Sequence, residues 1–230
     1  MSVGGLEEGR RQRLLSFAPC FERRRAPRLL CLGAHSDDLE IGCAGTVLEL
    51  ARRYPAAEVL WVIFSGDGDR AAEARQSAKA LLKGFRKSSL VTAGFRDGFL
   101  PQAYGDVKEQ FERLKRSFSP DVVLTHTLQD RHQDHRLIAE LTWNTWRDTT
   151  ILEYEIPKYE GDLGSPNVFV PLSEAVAKRK IAHLMRHFAS QRSRRWFTKE
   201  TFEAHLRLRG IECNAPSGRA EAFHGRKICI

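Results

Sequence analysis

Two short stretches hold most of the residues able to do chemistry: Ala34-His35-Ser36-Asp37-Asp38-Leu39-Glu40 and, about a hundred residues later, His132-Gln133-Asp134-His135. Histidines and carboxylates in this mixture suit a divalent metal with a water and an acid/base partner. His35 and Asp38 are three apart, so a turn entering a helix aims both at one point. His132 and His135 share that spacing. A catalytic zinc site takes three protein ligands and leaves a position open to water. These four candidates are one more than such a site needs, and spacing alone leaves open which is surplus; the extra histidine is free to act as an electrophile.

The elements that must carry these stretches are legible from the apolar pattern. Residues 28–33 and 59–64 are short apolar runs bounded by charge or glycine, as in strands buried on both faces. Residues 89–92, 121–125 and 151–156 are further strand candidates. Helical stretches lie between them at 39–54, 71–83, 106–118 and 134–146, and two more follow at 173–189 and 198–209. A late strand is expected around 221–230, and 157–172 reads as a long loop. Alternation of strand and helix predicts an α/β fold around a parallel sheet. Ligands in such sheets bind beyond the carboxyl ends of the strands. His35 follows the first strand and His132 to His135 follow the fourth, so the two stretches meet at one edge.

Each residue also has a plainer reading. His35 with two following aspartates suits a helix N-terminus, but the companion histidines at the same sheet edge favour a site. His126, at the end of a strand, reads as a core or rim histidine. Glu40 either supports a ligand or simply begins a helix. His187 and Gln191 share a helical face, by packing or by approach to the site. Gly66 and Gly68 do not open the first strand-to-helix turn and lack a third glycine, which argues against a dinucleotide loop.

At 230 residues, 42% hydrophobic and 29% charged, the chain has the composition of one large globular domain. No apolar run approaches the ~20 residues of a membrane helix. A secretory leader is not recognisable near 14–21, where Glu22-Arg23-Arg24-Arg25 follows directly, so a cytoplasmic location is expected. The five cysteines (Cys20, Cys31, Cys43, Cys213, Cys229) are scattered without a C-x-x-C pair, which argues against disulfides and a cysteine zinc site. Net charge is +8, with basic clusters at Arg23 to Arg28, Lys178 to Lys180, and Arg192, Arg194 and Arg195 beside Trp196. They read as a solvated surface or as recognition of an anionic substrate such as a nucleotide sugar, a lipid phosphate or a polyanionic glycan. No nucleic-acid motif accompanies them.

Ala34-His35-Ser36-Asp37-Asp38-Leu39-Glu40-Ile41-Gly42-Cys43-Ala44-Gly45-Thr46 resembles the A-H-P-D-D-x-E-x-G-x-x-G-T signature of PIG-L/LmbE-like zinc-dependent N-acetylglucosaminyl deacetylases. His132-Gln133-Asp134-His135 resembles their H-x-D-H motif. The likeness continues through Arg70-Ala71-Ala72-Glu73, Phe95-Arg96-Asp97-Gly98, His187-Phe188-Ala189-Ser190-Gln191 and Arg219-Ala220-Glu221-Ala222-Phe223. Ser36 stands where the family usually has proline, which loosens the turn without removing a ligand.

The resemblance implies a three-layer Rossmann-like sandwich with a mostly parallel sheet. It implies an N-terminal extension over 1–27 and one deacetylase domain over 28–230. His35, Asp38 and His135 would ligate zinc, or another divalent ion such as Fe2+. Asp37 would be general base and then acid, His132 the electrophile facing the oxyanion, and Asp134 the carboxylate holding the His132 ring, with Asp130 as a weaker match for that role. Arg70 and Asp97 would contact substrate. The expected substrate is a small N-acetyl amino sugar or conjugate, phosphate-bearing in one reading. Alternatives are an amidase for another small amide, such as an acylated thiol-sugar conjugate, or a non-catalytic glycan- or nucleotide-binding module. No nucleic-acid partner or membrane span is expected, and self-association is plausible by analogy with relatives.

Overall fold

The computed structural model describes residues 26–66 and 68–227. The expected extension over 1–27 falls outside the described residues except for 26 and 27, as do Cys20, Cys229 and the arginines Arg23, Arg24 and Arg25. In chain order the elements are β1 (Arg28–Gly33), α1 (Asp38–Arg53), β2 (Glu58–Ser65), α2 (Gly68–Leu81), β3 (Lys87–Phe95), α3 (Tyr104–Ser117) and β4 (Val122–His126). There follow α4 (Gln133–Thr145), β5 (Thr150–Tyr154), β6 (Val168–Pro171), α5 (Glu174–His187), α6 (Lys199–Glu212) and β7 (Ala220–Gly225).

One seven-stranded sheet has the order β3-β2-β1-β4-β5-β7-β6. The strands from β3 to β5 are parallel, whereas β7 runs antiparallel to both β5 and β6. The period of two splits β1 between two cores. Leu29 and Cys31 pack with residues of α1, α2, α5 and α6, while Leu30 and Leu32 pack with those of α3 and α4. This makes the three layers, and it explains why β1 is apolar throughout rather than alternating.

The stretch read as a loop over 157–172 contains β6. Its four half-buried residues end in Pro171 at the sheet's edge, where a missing N–H is tolerated, and they are too few to show a period. The late strand stops at Gly225 instead of reaching 230, and residues 228–230 lie outside the described ones. β3 is longer than the expected 89–92 and mostly exposed, because it is the other edge.

α1 carries the first motif and lies close on the sheet. A Cβ on Gly42 would stand 2.2 Å from Cδ2 of Tyr154, and one on Gly45 would stand 2.5 Å from Cδ1 of Leu172. The G-x-x-G of the motif is therefore a contact surface. A buried ion pair fixes the same helix from outside: Lys180 Nζ lies 2.6 Å from Glu221 Oε1 and donates to Ile41 O at 2.5 Å. Glu221 in turn accepts from the backbone N–H groups of Gly45 and Thr46, at 2.8 and 2.6 Å. The strand order reverses between β1 and β4, and the loops after these two strands open the crevice there.

Candidate functional site

β1 ends in Gly33, and Ala34 to Asp37 turn the chain into α1. Asp37 precedes the helix and its carbonyl accepts from Ile41 N, but its side chain makes no capping hydrogen bond. The reading of this stretch as a mere cap therefore fails for Asp37. Asp38 Oδ2 accepts from the backbone N–H of His35 at 2.6 Å, which folds the turn so that both side chains face the crevice. From β4, the loop 127–132 delivers the second motif to the first turn of α4.

The two motifs converge. His35 Nδ1 lies 3.0 Å from His135 Nε2 and 3.3 Å from Asp38 Oδ2, and Asp38 Oδ1 lies 3.5 Å from His135 Nε2. Tetrahedral ligands at zinc bond lengths of ~2.0–2.1 Å stand roughly 3.3 Å apart, and these separations are close to that, with Asp38 facing His35 through Oδ2 and His135 through Oδ1. Three overlapping donor groups lie close enough to hold a metal: His35, His132 and His135; Asp38, His126 and His135; and His35, Asp97 and Asp134. His126 is fully buried behind Asp38, its Nε2 3.1 Å from Asp38 Oδ2 and 3.2 Å from the Tyr154 hydroxyl. It is a core histidine, as its place at a strand end suggested, and it backs a ligand candidate. Burial and the neighbouring His135 push its pKa down to about 4.

The carboxylates make the crevice attractive to a cation. Burial disfavours a charged His35, yet Asp38, Asp134 and Asp97 around it outweigh burial and hold its pKa well above the usual value. Burial likewise works against ionised Asp38, but His135, His35 and His126 keep it well below the usual carboxylate range. Asp37 differs. Burial and the adjacent Asp38 raise it to about 6, against the pull of Arg70 and His35. Arg70 Nη2 stands 3.5 Å from Asp37 Oδ1, and the same guanidinium pairs with Asp97. Asp97 Oδ1 also lies 3.1 Å from His35 Nε2. The two expected substrate contacts thus touch the central residues directly.

Asp134 requires a correction. Its carboxylate was expected to hold the His132 ring, but it accepts from Gly98 N at 2.7 Å and Leu100 N at 3.1 Å, and lies 3.1 Å from His35 Nε2. The contact with His132 is reversed: the backbone N–H of Asp134 donates to His132 Nδ1 at 3.3 Å. At the start of α4 the side chain of the second residue, Asp134, turns into the crevice, while its N–H faces the cap. Asp130 holds His135 instead, with Oδ2 2.9 Å from Nδ1 and Oδ1 accepting from His132 N at 2.8 Å. Burial, His135 and His35 lower the His132 pKa, so its ring is neutral near pH 7.

Among the described residues, the Glu40 side chain makes no hydrogen bond to a ligand candidate. It is buried, with its pKa pushed up to about 8 chiefly by burial, and it accepts from the Ser77 hydroxyl. Ser77 Oγ meets His183 Nε2 at 2.7 Å, so the three residues tie α1 to α2 and α5. His187 packs on His183 at 4.3 Å between ring centroids, whereas Gln191 reaches the crevice. Lys158, Tyr159, Arg194 and Trp196 also line this cavity of about 200 Å³; Arg194 and Trp196 belong to a basic cluster marked in the sequence, whereas the approach of Lys158 and Tyr159 left no mark there. No helix among the described residues is long and apolar enough to cross a membrane.

Residues 30–146 match the family model described as PIG-L, GlcNAc-PI de-N-acetylase. The chain is 31% identical over 170 residues to the uncharacterized deacetylase YaiS of Escherichia coli (strain K12), covering 69% of this chain and 89% of YaiS. Among solved structures, the fold resembles the N,N'-diacetylchitobiose deacetylase of Pyrococcus horikoshii, with TM-score 0.68, 19% identity and coverage of 92% and 87%. It equally resembles GalB of Pseudomonas putida KT2440, the 4-carboxy-2-hydroxymuconate hydratase, with TM-score 0.68, 17% identity and coverage of 89% and 98%.

Proposed function

The chain belongs to the PIG-L family of de-N-acetylases, and from that premise we propose that it is a zinc-dependent N-deacetylase acting on a small N-acetyl amino sugar or its conjugate. The observation that carries this reading is the place of Asp37. Its carboxylate, raised to about 6, stands beside a three-donor set whose spacing suits one tetrahedral ion. A binding module has no need of such a base next to a complete ligand set.

His35, Asp38 and His135 would hold the ion. When bound, zinc supplies Lewis acidity, polarising an amide carbonyl and bringing the pKa of a water toward neutrality. The remaining work falls to side chains. Asp37 takes a proton from the attacking water and later delivers one to the departing amine nitrogen. Because His132 Nδ1 accepts from Asp134 N–H, the ring proton of the neutral imidazole sits on Nε2. That N–H donates to the carbonyl oxygen as negative charge develops there. Asp130 keeps the His135 proton on Nδ1 and its lone pair on Nε2. Asp134, anchored by Gly98 N and Leu100 N, steadies His35. Arg70 and Asp97 restrain one another and offer a charged fork to the hydroxyls of a bound sugar.

Metal analysis together with acetate release from N-acetylglucosamine, free and as nucleotide- and lipid-linked conjugates, tests the reading. Stoichiometric zinc and acetate release from at least one of these substrates are expected. A protein that binds no divalent ion under any condition, or loads zinc yet releases no acetate from any, would refute it.

A further inference from the structure

A second groove, of about 310 Å³, lies on the side of the molecule where β3 ends the sheet. One wall is made by Arg75 and Lys79 of α2 and by Lys83 of the 3-10 turn Leu82–Gly84 that follows it. Their spacing of four sets them in one stripe along the helix. Among the described residues, no acidic one lines the groove. Elsewhere the exposed helix lysines Lys178 and Lys199 each pair with a glutamate four residues away. Among the described residues, no hydrogen bond or ion pair engages the side chain of Arg75, Lys79 or Lys83. A helix C-terminus attracts cations, but Arg75 stands nearly two turns before that end.

The opposite wall is Ser88, Ser89 and Leu90 of β3. Successive strand residues face opposite ways, and three consecutive ones border the groove, as they would along the strand's edge. β3 pairs with β2 alone, and among the described residues no strand covers its outer side. An open edge offers main-chain donors and acceptors to an incoming strand. The geometry of the two walls agrees. Cations four apart on a helix are separated by about 6 Å along its axis, and alternate side chains of an extended strand by about 6.6 Å. One extended segment can therefore pair with the edge and present every second side chain to the basic stripe. A second copy of this chain, with net charge +8, would meet like charge there.

We propose that this groove takes an extended acidic peptide segment of another protein, added to the β3 edge with alternate aspartates or glutamates facing Arg75, Lys79 and Lys83. The surface is separate from the catalytic crevice, and the inference does not depend on the deacetylase reading. The probe is a short fluorescein-labelled peptide alternating Asp and Val, titrated with the full chain and followed by anisotropy at low and high salt. Saturable binding that weakens with salt is expected. The K79E/K83E variant should bind it about tenfold or more weakly, with an unchanged circular dichroism spectrum. A peptide of equal charge with proline at its centre should also bind poorly, because it cannot complete the strand pairing. Equal binding of the proline peptide, or equal displacement by polyphosphate, would reduce the groove to a general anion surface and overturn the proposal. So would undiminished binding by the variant, no binding by the wild-type chain, or a variant that merely self-associates.

Discussion

Asp130 Oδ2 lies 2.9 Å from His135 Nδ1, and Lys158 Nζ approaches the same oxygen at 3.0 Å. The carboxylate is mostly buried, but His135, His126 and Lys158 hold it well below the usual carboxylate range. An ionised Asp130 fixes the proton of His135 on Nδ1, which leaves Nε2 as the lone pair facing His35 and Asp38. Asp130→Asn should therefore weaken zinc about 10- to 100-fold, read by competition with a chromogenic chelator. Unchanged affinity would mean that Asp130 matters only as acceptor for His132 N.

Asp37 offers a sharper separation of roles, because it stands beside the proposed ligand set without belonging to it. Asp37→Asn should retain stoichiometric zinc yet lose roughly 10²- to 10⁴-fold in turnover, the range typical of a positioned general base. His135→Ala should instead lose the metal. Full activity of Asp37→Asn would remove it from proton transfer, and tight stoichiometric zinc in His135→Ala would remove His135 from the ligand set.

Much of this site could be read from the sequence because the motifs are local: His35 and Asp38 share one turn, and so do His132 and His135. Strands β1, β2 and β4 were equally plain, since burial on both faces leaves apolar runs such as Leu29 to Leu32, whereas the exposed edge strand β3 could be read only in part. What could not be read was any contact made across the chain. Asp134 was assigned to His132, its sequence neighbour, yet it bonds Gly98 N and Leu100 N from a distant loop. Lys158 and Tyr159 reach the cavity from a segment read only as a loop. β6 was hidden because four edge residues ending in proline carry no period.

Stability should depend on pH through His183, away from the crevice. Burial first, then His187, Arg179 and Arg186, depress its pKa to about 4, whereas an unfolded histidine titrates near 6.5. Above about pH 6.5 neither state is protonated and nothing is lost. As pH falls from there toward 4 the unfolded chain binds a proton that the folded one refuses, and stability falls. The loss is on the order of 1–2 kcal/mol once partial exposure is allowed for. Urea unfolding at pH 7 and pH 5 should show a smaller difference for His183→Gln than for the wild-type chain. Equal differences would clear His183 of the effect.

Gly42 tests how tightly the first motif is seated. Its place against the Tyr154 ring leaves no room for a methyl group, and that ring is held by a 2.7 Å hydrogen bond from its hydroxyl to Leu32 O. Neither α1 nor β5 can yield without moving the crevice. Gly42→Ala should cost ~1–3 kcal/mol by overpacking, measured by urea denaturation, and should lower zinc affinity as α1 shifts Asp38. An unperturbed variant would show that the ring can rotate away.

The Lys180–Glu221 pair makes the complementary prediction on the other side of α1. Lys180 is about 2% exposed and Glu221 about 3%, so neither charge can turn to water. Glu221 already accepts from Gly45 N and Thr46 N, and those two N–H groups cannot neutralise it alone. Lys180→Met should then strand a buried carboxylate and cost about 3–5 kcal/mol. Adding Glu221→Gln should recover part of that loss, because an uncharged amide still offers α1 an acceptor. The coupling energy between the two changes is expected at roughly 1–3 kcal/mol, from urea denaturation of both single variants and the double. Simple additivity would mean that each residue holds α1 through its own backbone contacts, Lys180 at Ile41 and Glu221 at Gly45 and Thr46, and that their mutual attraction contributes nothing.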